Sequence, residues 1–123
     1  MSDDDVRVLV VDDVADAAES LAALLSSYGY VARTAHDGEG ALGVVKEFHP
    51  HCVLLDVNMP GMDGRELSQH IRAIHGDNIV LVAITGGGAS DTRVSETFSL
   101  VDHYLQKPLD IAALDKILPP RVP

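Results

Sequence analysis

Five short runs of apolar, largely β-branched residues recur along the chain: Val6–Val11, Tyr30–Ala35, Cys52–Leu55, Ile79–Ile84 and a weaker one at His103–Gln106. Between them the apolar positions fall at helical spacing. Val14, Ala17, Ala18, Leu21, Leu24, Leu25 and Tyr28 predict a first helix of almost four turns. Ala41, Leu42, Val45 and Phe48 predict a second. Leu67, Ile71 and Ile74 predict a third, opened by Asp63-Gly64-Arg65-Glu66 as an acidic version of the capping box. Asp91–Leu100 is poorly patterned for a fourth, with Val94 and Phe98 its clear apolar positions. Ile111, Leu114 and Leu118 predict a fifth, capped by Asp110 and stopped by Pro119-Pro120.

Alternation of strand and helix implies parallel strands joined by helical crossovers, and so a sheet covered on both faces. Val6–Val11, Cys52–Leu55 and Ile79–Ile84 are nearly continuous apolar runs, as interior parallel strands require. Tyr30–Ala35 carries Arg33 and Thr34, and His103–Gln106 mixes polar with apolar residues, so these two are expected at the edges. The expected fold is α/β, a doubly wound (βα)5 sheet of five parallel strands.

Composition narrows the function. The 123 residues suit one domain, and 46% hydrophobic content supports a packed core. Nineteen acidic residues against nine basic ones leave a net charge of −10, which disfavours nucleic-acid and anionic-membrane surfaces alike. The single cysteine, Cys52, excludes an intramolecular disulfide, lies in an apolar run as a buried thiol, and fits a reducing, cytoplasmic setting. No signal core or membrane-length apolar stretch is present. Residues 1–5 form an acidic leader, 6–118 the domain and 119–123 a proline-rich tail.

In open α/β sheets, ligands bind beyond the carboxyl ends of the strands. Asp12 and Asp13 follow the first strand, Asp56 ends the third, Thr85-Gly86 ends the fourth and Lys107-Pro108 follows the fifth. Three neighbouring carboxylates remain ionised only with a cation between them, and an all-oxygen set suits Mg2+. A lysine and a hydroxyl beside that set suit a phosphoryl group, with one aspartate available as nucleophile. Taken singly, these residues have plainer readings. Asp12-Asp13 could cap the first helix, Lys107 could be a surface lysine, and Tyr104 an edge-strand aromatic. His49-Pro50-His51-Cys52 and the histidines at 36, 70, 75 and 103 show no zinc spacing. Gly86-Gly87-Gly88 lacks the frame of a phosphate-binding loop and reads as a hinge.

Together, the segment Leu55-Asp56-Val57-Asn58-Met59-Pro60-Gly61-Met62-Asp63-Gly64, the Asp12-Asp13 pair, Thr85 and Lys107-Pro108 resemble the receiver domain of bacterial two-component response regulators, the CheY-like superfamily. The resemblance runs from Val6 to Leu118. It implies a flavodoxin-like strand order 2-1-3-4-5. It also implies that Asp12, Asp13, Asp56 and the Asn58 backbone carbonyl hold Mg2+, with Mn2+ as a substitute, and that Asp56 is the phosphoacceptor. Thr85 and Tyr104 then resemble the switch pair, and Lys107 the lysine that pairs with the phosphoryl group. The implied partner is a sensor histidine kinase or a histidine phosphotransfer protein. A homodimer or effector would use the surface of the fourth helix, fifth strand and fifth helix. No enzymatic turnover is implied beyond self-phosphorylation and self-dephosphorylation.

The sequence departs from the family in two places. Two glycines follow Gly86, and Phe98-Ser99-Leu100-Val101-Asp102 carries no glycine before the fifth strand. Two alternatives stand beside the receiver reading. A haloacid-dehalogenase-like phosphatase needs a second aspartate two residues after the nucleophile, where this chain has Asn58. A pseudo-receiver would not need the complete acidic set. The ending Lys107-Pro108-Leu109-Asp110 resembles those of stand-alone and hybrid-kinase receivers.

Overall fold

The computed structural model describes residues 6–56, 64–76, 78–85, 101–106 and 110–118. In chain order these form β1 (Arg7–Val11), α1 (Ala15–Ser27), β2 (Val31–Ala35), α2 (Gly38–Phe48), β3 (Cys52–Asp56), α3 (Gly64–His75), β4 (Val80–Thr85), β5 (His103–Gln106) and a carboxyl-terminal helix, Ile111–Ile117. All strands are parallel and ordered β2-β1-β3-β4-β5, so the two runs richest in polar residues are the edges, as their composition requires. The expected leader, fourth helix, tail and the Asp63 cap lie outside the described residues.

Strand alternation divides the core. Val8, Val10, Cys52, Leu54, Val82 and Ile84 face one layer, with Ala18 and Leu25 of α1 and Leu114 of the carboxyl-terminal helix. Leu9, Val11, Val53, Leu55 and Leu81 face the other, with Ala41 and Val45 of α2 and Leu67 and Ile71 of α3. Each Val, Leu or Ile among them gains roughly 1.5–3 kcal/mol on full burial, which is why the central strands need apolar residues at successive positions and not at alternate ones.

The helix faces depart from the periodicity in two places. α1 packs through Ala18, Leu21, Ala22 and Leu25. Val14, Leu24 and Tyr28, expected on that face, are 55%, 43% and 46% exposed, and Ala17 is exposed as well. The spacing merged two adjacent stripes, and the small Ala22 supplies the contact that Leu24 was expected to make. In α3, Leu67 and Ile71 are buried but Ile74 is 68% exposed.

Local bonds fix the helix ends. Asp110 Oδ1 accepts the Ala112 N–H at 3.0 Å, the cap predicted from sequence. Asp37 caps α2 through the Gly40 N–H at 2.6 Å, and a Cβ at Gly40 would come within 3.0 Å of that same oxygen. The Tyr30 hydroxyl donates to Asp115 Oδ1, tying the carboxyl-terminal helix to the entry of β2.

The segment that lacks the expected glycine before β5 is held by Asp102. Its Oδ2 accepts the Leu81 N–H at 2.8 Å and an Arg72 N–H at 2.7 Å, while Arg72 also donates to the Gly76 and Ile79 carbonyls. Burial alone would push the Asp102 carboxyl up; the Leu81 N–H, the Arg72 guanidinium and His103 outweigh it and hold it below the usual carboxylate range.

Asp102→Ala should therefore lower stability by about 1–2 kcal/mol at neutral pH, the lower range for charged hydrogen bonds because the carboxylate is 41% exposed. A depressed folded-state pKa contributes stability above the unfolded value and loses it as pH falls through the folded one. Urea titrations of both proteins should thus converge in acid.

Candidate functional site

The register assembles the carboxyl edge residue by residue. Val11 pairs with Leu55 across β1 and β3, which sets Asp12 and Asp56 side by side as the chain leaves the sheet. Asp56 pairs with Ile84, one residue before Thr85, and Thr85 pairs with Gln106, one residue before Lys107. Strand termini are fixed by backbone ladders on both sides, so this edge is a stiff platform for side chains.

On it, one carboxylate oxygen each from Asp12, Asp13 and Asp56 lies within 4.8 Å of the others. Asp12 is buried at 7% exposure, Asp13 is exposed and Asp56 half-buried. Three negative charges at this spacing repel by about 3 kcal/mol per pair at an effective dielectric of 20, and by about 1 kcal/mol in bulk water. Every donor in the set is an anionic oxygen. That chemistry fits a hard divalent cation such as Mg2+ and offers nothing to a soft one.

Asp12 is held through both its backbone and its side chain. Its N–H donates to the Ala35 carbonyl at 3.1 Å, and its Oδ1 accepts the Val14 N–H at 3.0 Å. The His36 Nδ1 stands 3.3 Å from its carbonyl oxygen. The plain reading of the acidic pair as a helix cap does not hold, because α1 starts from an extended Val14 with no side-chain cap. Nothing in the sequence around His36, which has no metal spacing, marks it as a neighbour of Asp12; only the β1–β2 register brings it there.

Of the other sequence-predicted site residues, Thr85 sits at the carboxyl end of β4 and Tyr104 lies in β5 opposite Ala83, against which it packs with Val101. Asn58, Lys107 and the Thr85 side chain lie outside the described residues. Cys52 is fully buried, and burial followed by the Asp102 charge pushes its thiol above the ordinary range, which makes it an inert core residue. Among the described residues no helix is long and apolar enough to cross a membrane.

Comparison with known proteins bears on this edge. The family model for the response regulator receiver domain matches residues 8–119. The response regulator MprA of Mycobacterium ulcerans (strain Agy99) is 38% identical over 113 residues, covering 92% of this chain and 47% of MprA. The sensor histidine kinase RcsC of Salmonella typhi is 39% identical over 117 residues, covering 95% of this chain and 12% of RcsC. The chain thus spans about half of one relative and a small part of the other. Among solved structures, the response regulator TrrA of Thermotoga maritima in complex with Mg2+–BeF superposes with a TM-score of 0.76 at 31% identity, covering 90% of this chain and 94% of TrrA.

The repulsion gives a test with a sign. Without divalent cations, Asp13→Asn should raise the melting temperature, because it removes one charge from the cluster. With millimolar Mg2+ the order should reverse, since the wild type gains more from the ion. A thermal scan with and without chelator reads both.

Proposed function

The chain belongs to the response regulator receiver domain family, and on that premise we propose that residues 6–118 form one phosphoacceptor unit with Asp56 as the phosphorylated residue. The observation that carries this reading is the meeting of the Asp56, Asp12 and Asp13 carboxylates at the end of the central strands. An Asp56 oxygen attacks the phosphorus of a phosphohistidine on a sensor kinase or histidine phosphotransfer protein. The new O–P bond forms as the P–N bond breaks, and the electron pair stays on the imidazole nitrogen, which takes up a proton.

Asp12, Asp13, Asp56 and the Asn58 backbone carbonyl would hold Mg2+, or Mn2+ in its place, which when bound would supply charge neutralisation for the carboxylates and the incoming phosphoryl oxygens. Lys107 contributes an ammonium to the same oxygens and Thr85 a hydroxyl. Inward movement of Thr85 frees space that Tyr104 fills from its seat on Ala83, altering the surface at β5 and the carboxyl-terminal helix that a second copy or an effector reads. The Val14 N–H, donated to Asp12 Oδ1, orients that carboxylate at the head of α1. The chain's chemistry is confined to its own phosphorylation and dephosphorylation, in a cytoplasmic setting, as a stand-alone regulator or as the receiver of a hybrid kinase.

The phosphodonor needs a surface beside Asp56, and α1 offers one. Val14, Leu24 and Tyr28 form an exposed apolar stripe beginning two residues after Asp12. An apolar strip with a tyrosine at its end suits a helical partner.

Incubated with Mg2+ and acetyl phosphate, the wild type should gain one HPO3 by intact mass while Asp56→Asn gains none. No gain in the wild type, or a gain that survives the substitution, ends the reading. Tyr28→Ala and Leu24→Ala should slow transfer from a phosphorylated phosphotransfer protein about tenfold, a loss of ~1.4 kcal/mol, and leave the acetyl phosphate rate unchanged.

A further inference from the structure

The opposite edge of the sheet carries a second concentration of chemistry that phosphoacceptance does not use. A cleft of about 310 Å3 opens there, lined among others by Arg7, His49, His51, His75 and Asn78. A second cavity of about 480 Å3 runs between α2 and α3 over Leu42, Gly43 and Ile74, with Lys46 at its side. Val45 and His75 line both, so the two cavities adjoin along one groove between α2 and the amino ends of the strands. Each volume is of the size that small-molecule sites occupy, roughly 300–1,000 Å3.

The lining is unlike the rest of the chain. The protein carries nineteen acidic residues, yet the described lining of both cavities contains no carboxylate and holds Arg7, Lys46 and three of the six histidines. The cationic end is also built. Arg7 Nε donates to the carbonyls of Phe48 at 3.0 Å and His49 at 2.9 Å, which fixes the guanidinium plane at the end of α2. The Arg7 backbone N–H donates to His51 Nδ1 at 2.9 Å, and the His51 N–H returns to the Arg7 carbonyl at 2.8 Å. An imidazole whose Nδ1 accepts carries its proton on Nε2. His51 therefore lines the cleft as a neutral ring with a standing N–H donor, and burial together with Arg7 keeps it neutral.

We propose that this groove binds a small organic phosphate, with the dianionic head against Arg7 and the histidines and an apolar body lying along α2 and α3. The head matches fixed cationic and N–H donors, and the body matches Leu42 and the exposed Ile74. Size selects a small molecule over a large one. A nucleic acid or an acidic protein surface would face the net charge of −10, whereas a small anion buried in the cleft meets mainly its local field. Gly43 leaves the groove open: a Cβ there would meet nothing within 4 Å, so a side chain can enter without disturbing α2.

The test titrates the full chain, without divalent cations, with phenyl phosphate, inorganic phosphate and phenol, following backbone amides by NMR. The expected result is saturable shifts at Gly43, Ile74, His75 and Asn78, with phenyl phosphate at least tenfold tighter than either fragment. Gly43→Leu should retain the wild-type melting temperature or exceed it, because leucine favours the helix where glycine does not, and should weaken phenyl phosphate at least tenfold. His75→Glu should do the same through charge. Equal affinity for phenyl and inorganic phosphate, binding unchanged in both variants, or shifts centred on Asp12 and Asp56 would each overturn the proposal. Asp56→Asn should bind as the wild type does, which separates this site from phosphoacceptance.

Discussion

Three like charges held within 4.8 Å of one another are the constraint around which this molecule is arranged. Carboxylates on mobile loops would move apart. Here Asp12 and Asp56 leave adjacent parallel strands whose register is locked by apolar packing on both faces. The interior of the sheet thus supplies the work of compression. The same rigidity makes the cluster responsive, because a site that cannot relax by spreading can relax only by taking up positive charge or by losing a negative one. Conversion of one carboxylate into a mixed anhydride with phosphate would change that balance at the point where the framework is least able to yield.

Much of this was legible from sequence because it rests on periodicity and on chain position. Val6–Val11 and Cys52–Leu55 read as central strands because nearly every position is apolar, and Arg33 and Thr34 marked β2 as an edge. The acidic residues stood out because α/β topology puts strand-following residues on one rim. The α1 face was read less well. Its apolar residues exceed what one packing stripe needs, so composition could not separate Ala22, which packs, from Leu24, which does not. Apart from the Asp110 cap, side-chain bonds to backbone were invisible for a different reason. Asp12 to Val14, His51 to Arg7 and Asp102 to Leu81 obey no repeat, and the last two join residues far apart in the chain. The absence of a glycine before β5 was legible, but nothing in the sequence pointed to Asp102 with Arg72, which only the fold brings together.

The two edges of the sheet differ in kind. At the carboxyl edge, backbone donors and a register place like charges together for chemistry. At the amino edge, side chains replace missing ladder partners: the His51 ring takes the N–H of Arg7, and the Asp102 carboxylate takes that of Leu81. Polar side chains at the amino edge are thereby committed to holding strands in register, which lets the other rim carry repulsion without loosening the sheet.

The bond between Tyr30 and Asp115 joins positions 85 apart in sequence, so forming it closes a long stretch of chain. Loop-closure entropy places such a contact late in assembly and early in disassembly. Among the described elements the carboxyl-terminal helix is therefore the last to dock and the first to fray, so the helix that follows β5 is also the one whose attachment is cheapest to adjust.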